Sequence, residues 1–464
     1  MKNIKRTLLF IFDDYFFSLL SWIVFYVSRK IFIEKTELII DIQFFKGIVF
    51  IPIFWVLIFT IQGTYIDIKR SYRSKIFNQT FIGTILGTCI LFFMILLDDK
   101  IKSYQSYYES ISILFITQFT FTLFSRLIFI TIQVRRIQNK KDYFNTMIIG
   151  SAEQINSFEK ELNGIKKSIG NKIVSILDTQ KTLKTPPYTD KQIVEFENID
   201  KEINTNKIEE VIIIDNEIHS KKLQYLLAKL SGLGVLVKIK ASDFDIAIGT
   251  IKQNNLFGLL IREIQFDQMP YWQKSIKRIL DLIISIISLL FLTPFFILIA
   301  IIIKRTSKGP IFFKQERIGE YSKPFNIIKF RTMYLDSEKD GPQLSSSNDI
   351  RITKFGKFLR KTRIDEFPQF INVIKGEMSL VGPRPERRYY IDEISEKEPS
   401  FLQLTIVKPG ITSWGQVKYG YAENVEQMIQ RMRFDLLYLK NRSLAIDFKI
   451  MFYTIITILK AKGK

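Results

Sequence analysis

The stretch Ile276–Ile303, IKRILDLIISIISLLFLTPFFILIAIII, decides what kind of chain this is. It is apolar for longer than the ~20 residues that cross a ~30 Å hydrocarbon core. Lys274, Lys277 and Arg278 stand at its start, and Lys304, Arg305 and Lys308 at its end. Thr293-Pro294 sits inside it. Proline removes a backbone donor and crowds the preceding turn, so a break is expected there. With cations at both ends, two readings stay open. The run is either a broken helix that enters and leaves the membrane on one face, or a kinked helix that spans it.

Four more apolar segments fill the first third: Leu8–Val27, Phe44–Ile61, Phe81–Leu97 and Ile111–Val134. Lys2, Lys5 and Arg6 precede the first, and Lys69, Arg70, Arg73 and Lys75 join the second to the third. Arg135, Arg136, Lys140 and Lys141 follow the fourth, whereas the third connection opens with Asp98-Asp99. The positive-inside rule then puts both ends of a four-helix transmembrane domain, residues 1–141, in the cytoplasm. Arg29, Lys30 and Lys35 in the first connection weaken that assignment without reversing it. Asp13, Asp14 and Arg126 fall in or near the apolar runs, where they either pair inside the bundle or reach from a helix end to the interface. Asp13 and Asp14 also interrupt the first run, and no small-residue site follows it, so a cleaved signal is not expected.

Residues 142–265 change character. Thr146–Gly150, Lys172–Leu177, Val211–Ile214 and Gly234–Ile239 read as short strands, with helical stretches such as Ser220–Leu230 between them. Strand–helix alternation predicts a parallel, Rossmann-like α/β domain. The turn at Gly150 carries one glycine rather than GxGxxG, so a structural or regulatory role is expected before a nucleotide site. Lys181–Pro187 reads as an exposed loop and His219 as a surface residue. The remainder, 266–464, is charged. It offers strands at Pro310–Phe313 and Phe325–Phe330, helices at Lys354–Lys375 and Asn424–Tyr438, and an apolar last helix, Leu444–Leu459.

The 464 residues allow about three domains. At 47% hydrophobic and 24% charged the chain is part membrane and part polar, not disordered. One cysteine (Cys89) and one histidine exclude a disulfide scaffold, a zinc finger and a Cys/His dyad, so any metal must be a hard ion on carboxylate oxygen. A net charge of +21 suits anionic lipid or phosphorylated substrates, and no basic-aromatic stripe argues for nucleic acid.

The densest polar cluster runs from Arg360 to Arg388. Arg360, Lys361 and Arg363 precede Asp365-Glu366, and Pro383-Arg384-Pro385 follows. One carboxylate can attack phosphorus while its neighbour holds a magnesium ion, and an arginine fixed between two prolines makes a rigid anion clamp. Gln315-Glu-Arg317 and Lys329-Phe-Arg331 add cations. Lys408-Pro-Gly-Ile-Thr412-Ser-Trp414-Gly-Gln416 adds a stiffened loop able to grip a diphosphate and stack a base or sugar.

From Lys277 onward the chain resembles the bacterial sugar transferase family, the polyprenyl-phosphate glycosylphosphotransferases. The resemblance rests on Lys277-Arg278-x-x-Asp281, Thr293-Pro294, Gln315-x-Arg317-x-Gly319, Lys329-Phe-Arg331-Thr-Met333 and Asp365-Glu366-x-Pro368-Gln369. It also rests on Asn372-Val-x-Lys375-Gly376, Met378-Ser-Leu-Val-Gly-Pro-Arg384-Pro385 and Pro409-Gly-Ile-Thr-x-Trp414-x-Gln416-Val417. It implies an α/β catalytic domain with a re-entrant membrane helix broken at Pro294, in the cytoplasmic (inner) membrane of a bacterium. The implied enzyme moves sugar-1-phosphate from a UDP-sugar to undecaprenyl phosphate, releases UMP and starts exopolysaccharide, capsule or O-antigen synthesis. Asp365 is the implied nucleophile of a covalent phosphosugar intermediate. Glu366 assists beside Mg2+, and Arg384 carries the clamp role. Lys408 stands where arginine is common, keeping the charge without the bidentate fork. Arg363 stands where serine is frequent. A homo-oligomer is an expectation, as is, in the competing reading, a non-catalytic membrane scaffold or regulator of polysaccharide assembly.

Overall fold

A computed structural model describes residues 4–96, 104–165, 168–180, 192–215, 220–241, 261–335, 349–420 and 422–459. Asp98-Asp99, the loop Lys181–Pro187 and His219 lie outside the described residues. The chain forms two compact units, Met1–Tyr143 with Lys166–Asn171, and Phe144–Ile165 with Lys172–Lys464.

The first unit contains α1 (Ile4–Ser28), α2 (Ile42–Gln62), α3 (Arg73–Leu91) and α4 (Tyr104–Gln138). Each is part of a helix long and apolar enough to cross a membrane, by length and composition. Asp41 starts α2 by accepting from Phe44 N at 3.0 Å, and Gly63, at φ 82°, ends it. Phe10, Phe25, Trp55, Phe59, Ile76 and Ile130 build the core. A Cβ at Gly87 would lie 2.2 Å from the Trp55 ring, so only glycine admits that indole.

A polar lock sits inside this apolar core. Arg126 donates from Nε to Asp14 Oδ1 at 2.8 Å, from Nη2 to Oδ2 at 2.7 Å and from Nη1 to Thr80 Oγ1 at 2.8 Å. Tyr65 OH donates to Asp14 Oδ2 at 2.7 Å, and the guanidinium lies 3.8 Å from the Phe59 ring centre. Asp14 and Arg126 are both fully buried. Of the two sequence readings, inward pairing holds for this pair and helix-end reach does not. A bidentate, fully hydrogen-bonded pair offsets the desolvation that an isolated charge would suffer.

In the second unit, β1 (Phe144–Gly150), β2 (Asn171–Asp178), β3 (Gln192–Ile193), β4 (Glu210–Ile213), β5 (Leu236–Lys240) and β6 (Ile261–Ile264) form one sheet. Its order is β3-β2-β1-β4-β5-β6. The pairs β1/β4, β4/β5 and β2/β3 are parallel, and β6 runs antiparallel to β5. The four expected strands are present; β3 and β6 are too short to show a pattern of their own. The accompanying helices are α5 (Ala152–Gly164), α6 (Ile199–Thr205) and α7 (Ser220–Gly232). Ser151 and Gln154 cap α5 reciprocally, and a Cβ at Gly150 would lie 2.5 Å from Ile214 Cγ1, so protein atoms pack closely where the strand order reverses.

Helix α8 (Tyr271–Thr306) carries the deciding stretch. It remains helical on both sides of Pro294, which corrects the expected break. Proline takes away one N–H, and Thr293 Oγ1 donates back to Leu289 O at 2.6 Å, an arrangement that bends a helix without ending it. Its middle is bare of protein, with Leu290 70% and Phe291 75% exposed. Both of its ends nevertheless attach to the polar region that follows. Near the start, Lys277 Nζ donates to Val381 O at 2.9 Å and to Asp447 Oδ2 at 2.7 Å, while Asp281 accepts from Ser379 Oγ at 2.7 Å and Leu380 N at 3.2 Å. Near the end, Ile299 and Ile303 pack on Phe330 and Leu359.

That region contains the hairpin β7 (Phe312–Ile318) and β8 (Pro324–Phe330), helices α9 (Lys354–Thr362) and α10 (Phe370–Lys375), and the parallel pair β9 (Ser379–Val381) and β10 (Gly410–Thr412). Helices α11 (Arg388–Lys397), α12 (Trp414–Lys418), α13 (Val425–Lys440) and α14 (Leu444–Leu459) complete it. The sheet domain docks on it through α7. A Cβ at Gly232 would meet Ser322 Oγ at 3.0 Å and Thr405 Oγ1 at 3.1 Å, so the hairpin tip lies against α7. The residues assigned to separate domains at 142–265 and 266–464 thus pack within one unit.

Replacing Arg126 with Met strands Asp14 in the apolar core and should destabilise the first unit by about 3–5 kcal/mol. The double variant Asp14→Leu/Arg126→Met should recover most of that loss. Thermal unfolding in detergent of the parent, Asp14→Leu, Arg126→Met and the double variant measures the coupling.

Candidate active site

Asp365 and Glu366 do not lie on the single helix expected over Lys354–Lys375. Arg363 adopts the left-handed conformation, φ 56°, and ends α9. Ile364–Gln369 then winds as a 3-10 helix before α10 begins. The sequence pattern misses this because one residue's backbone angle, not a proline or glycine, changes the helix. The tight turn puts both acids at its start and buries them, to 9% and 5% exposure. Asn372 fixes the other end. Its Oδ1 accepts from Ile328 N at 3.1 Å, and its Nδ2 donates to Asn326 O at 2.8 Å and Glu377 Oε2 at 2.7 Å, tying α10 to β8.

Strand β8 delivers Lys329 to the pair. Its Nζ donates to Glu366 Oε1 at 2.9 Å, and Arg384 Nη1 approaches the same oxygen at 3.5 Å. Burial and the Glu366 charge push the Asp365 carboxyl up to about 6, against Lys329, Arg360 and Arg384. Burial also acts to raise Glu366, but Lys329, Arg384 and Arg363 outweigh it and bring that group down to about 2. The same burial draws Lys329 below the ordinary lysine value. Two adjacent carboxyls thus have separated proton affinities: one firmly ionised, one a more basic oxygen nucleophile once its proton is gone.

Arg384 belongs to a turn held from several directions. Gly410 N donates to Pro383 O at 2.9 Å and Gly382 N to Thr412 O at 3.1 Å, so the loops after β9 and around β10 are stitched together. The buried Asp435 accepts from Gly415 N at 2.8 Å and from the backbone of Arg384. Arg317, on β7, donates to Pro385 O at 3.3 Å, Glu386 Oε2 at 3.3 Å and Gln315 Oε1 at 2.7 Å. Arg431 Nη2 donates to Glu386 Oε1 at 2.5 Å. Glu386, Arg431 and Asp435 escaped the sequence reading. The signal available for Glu386 was its place directly after Pro383-Arg384-Pro385.

The structure brings Arg317, Lys329 and Arg384 into one charged network with Asp365 and Glu366. Arg331 has another use. It donates to Ser307 O at 2.7 Å, Ser307 Oγ at 2.8 Å and Lys308 O at 2.9 Å, clamping the end of α8. Lys408 lies beside Arg278 at Gly376, and burial lowers its proton affinity. Arg278 itself donates to Val373 O at 2.7 Å and Ile374 O at 3.1 Å, a cation at the C-terminal end of α10. Thr412 Oγ1 bonds Thr454 Oγ1 at 2.7 Å on α14. Trp414 faces Tyr453, with Lys418 Nζ 4.9 Å from its ring centre. The Gln416 amide is buried, and neither its oxygen nor its nitrogen has a hydrogen-bond partner among the described residues. Among the described residues no three His, Cys, Asp or Glu side chains gather as a metal cage.

Buried cations thus surround two carboxyls in a region fastened to an exposed apolar helix. The family model for bacterial sugar transferases matches residues 272–461. The uncharacterized sugar transferase EpsL of Bacillus subtilis is 39% identical over 189 residues, 40% of this chain and 89% of that one. The chain belongs to the bacterial sugar transferase family. The UDP-N-acetylgalactosamine-undecaprenyl-phosphate N-acetylgalactosaminephosphotransferase of Aeromonas hydrophila is 43% identical over 188 residues, 40% of this chain and 44% of that one. The UDP-glucose:undecaprenyl-phosphate glucose-1-phosphate transferase of Klebsiella pneumoniae is 41% identical over 181 residues, 39% of each chain. The aligned region thus spans less than half the length of these two relatives.

Burial pushes the Asp435 carboxyl up to about 6, although Gly415 N–H and Arg431 favour its charge. The native state therefore holds this proton more tightly than the unfolded chain does. The resulting stabilisation is complete below about pH 4 and disappears as pH rises through about 6, a change of about 3 kcal/mol. Asp435→Asn, which keeps an acceptor for Gly415, should flatten that part of the stability profile. Unfolding temperature against pH, variant minus parent, reads the difference.

Proposed function

We propose that this chain transfers sugar-1-phosphate from a UDP-sugar to undecaprenyl phosphate, giving undecaprenyl-diphosphate-sugar and UMP. The observation that carries the reading is Asp365, buried beside the ionised Glu366 and within the field of Lys329, Arg360 and Arg384. The names of the Aeromonas and Klebsiella relatives support the donor and acceptor classes.

In the first step an Asp365 oxygen attacks the sugar-bearing phosphorus, the bond to the UMP oxygen breaks and UMP leaves. In the second an oxygen of the lipid phosphate attacks the same phosphorus, the acyl-phosphate bond breaks and the Asp365 carboxylate returns. Dividing the exchange lets a soluble donor and a membrane-held acceptor use one site in turn. Asp365 must be ionised to attack, and its raised proton affinity makes it the better nucleophile of the pair. Lys329 and Arg384 offset charge on the transferring group. The Gln416 amide supplies an unpaired donor and acceptor, the kind of buried group that a ligand's polar edge satisfies.

Magnesium fits the donor set in a limited way. Lys329 and Arg384 both address Oε1 of Glu366, so Glu366 would hold the ion through its other oxygen, with phosphate and water completing the shell. When bound, the ion would add positive charge at the reacting phosphate.

Helix α8 supports a re-entrant placement. It has 36 residues, ~54 Å if straight, yet both ends are tied to the same polar region. A bend at Pro294 that dips the bare middle into one leaflet satisfies both facts. The basic flanks of the apolar helices favour a site on the cytoplasmic face of the inner membrane, where nucleotide sugars are available. The product suits the start of exopolysaccharide, capsule or O-antigen assembly. The intact carboxyl pair favours this enzyme over a non-catalytic scaffold.

Asp365→Asn should lower UMP release from UDP-sugars by at least about a thousandfold in membranes that contain the protein at parental level. Parental activity in that variant rejects the nucleophile. Cysteines introduced at Lys274 and Lys308 should react with an impermeant maleimide from the same side of sealed vesicles. Labelling from opposite sides rejects the re-entrant placement.

A further inference from the structure

Two lysines and two aromatic side chains gather where Trp414 meets α14. The Trp414 and Tyr453 rings stand edge to face, their centres 6.1 Å apart. Lys418 Nζ lies 4.9 Å from each ring centre, and Lys449 Nζ lies 5.8 Å from that of Trp414. Among the described residues neither ammonium has an ion pair or a hydrogen bond, and neither the indole N–H nor the phenol hydroxyl has a hydrogen-bond partner. A ring face attracts a cation without neutralising it and without using its N–H donors. The cations that hold α8 are committed by contrast: Lys277 to Asp447, and Arg278 and Arg331 to backbone carbonyls.

This group borders an apolar surface. Phe448, Phe452 and Ile455 are exposed and follow one face of α14, at i, i+4 and i+7. Lysines and aromatic rings beside such a face are the pattern of headgroup depth. The same group is tied to the acids' surroundings. Thr454 Oγ1, on α14, bonds Thr412 Oγ1 at 2.7 Å. Thr412 O accepts from Gly382 N at 3.1 Å, and Asp435 accepts from Gly415 N and from the backbone of Arg384. The loop that carries Trp414 is therefore stitched to the turn that carries Arg384.

We propose that Lys418 and Lys449, with Trp414 and Tyr453, dock the phosphate of the acceptor lipid while its prenyl chain lies along Phe448, Phe452 and Ile455. Two ammonium groups match the two charges of a phosphate monoester, whereas a bulk phospholipid diester such as phosphatidylglycerol offers one. Bulk lipid also has no need of lysines fastened to the Arg384 turn. The inference rests on the transfer reaction proposed above for the identity of the lipid, and not for the binding of its phosphate.

The test uses the full chain in phosphatidylcholine nanodiscs, with labelled farnesyl phosphate as the probe. Lys418→Gln/Lys449→Gln should bind the probe at least about tenfold more weakly than the parent, and Lys418→Arg/Lys449→Arg should stay within about threefold. Enriching the discs in phosphatidylglycerol should leave parental binding within about threefold. In turnover assays the glutamine variant should raise KM for undecaprenyl phosphate about tenfold, while the UMP burst formed before lipid is added stays within about twofold of parental. Unchanged probe affinity in the glutamine variant overturns the dock. Displacement of the probe by phosphatidylglycerol assigns the lysines to bulk lipid and overturns it too, as does a lost UMP burst with an unchanged KM for the lipid. Both lysines are exposed; if the double variant still does not fold, the two single variants replace it, and parental affinity in both overturns the proposal. Should the parent release no UMP from any UDP-sugar, the transfer reaction fails, and the farnesyl phosphate titration still decides the dock.

Discussion

Lys277 and Asp281 fasten an apolar helix to a charged domain, and the site depends on that attachment. Lipid and a helix surface are equally apolar, so greasy contacts cannot fix how far or in which rotation such a helix sits; polar contacts and close packing do. Here the two residues lie four apart on one face of α8, and each reaches β9, through Val381 O and through Ser379 and Leu380. Strand β9 runs directly into Gly382-Pro383-Arg384. Only Gly382 and Pro383 separate the guanidinium beside the acids from the strand that holds the apolar helix. Asp447 and Tyr438 close the same network from α14 and α13, which couples both apolar helices to the site.

The electrostatics follow from this placement. Buried acids need cations close by, and Lys329, Arg360, Arg363 and Arg384 provide them around Asp365 and Glu366. The cations in turn would repel one another without Glu386 and Asp435. Arg331, two positions after Lys329 and just past the end of β8, is spent instead on carbonyls at the end of α8.

Much of this was legible in the residues alone. The apolar runs, the strands at Thr146–Gly150 and Val211–Ile214, and the grouping of Asp365, Glu366, Lys329 and Arg384 all rest on local pattern or on residue type. What was not legible is set by distant partners. The 3-10 helix at the acids depends on Arg363 taking a left-handed conformation that nothing nearby requires. The pair β9 and β10 has three residues a strand and exists because two separated loops bond each other. Arg431 meets Glu386 from 45 positions away. The continuous helix through Pro294 shows the opposite error, where a strong local signal was overruled by helical turns on both sides and a threonine hydroxyl that bonds back into the preceding turn.

The lock between Asp14 and Arg126 joins residues 112 positions apart. During synthesis α1 emerges first, so its carboxylate has no cation to meet until the fourth helix has been made. At ~5–20 residues per second that wait lasts roughly 6–22 s. The first helix must therefore be kept near water, or near some temporary polar neighbour, while the ribosome completes the rest, and the bundle closes as a set rather than one hairpin at a time.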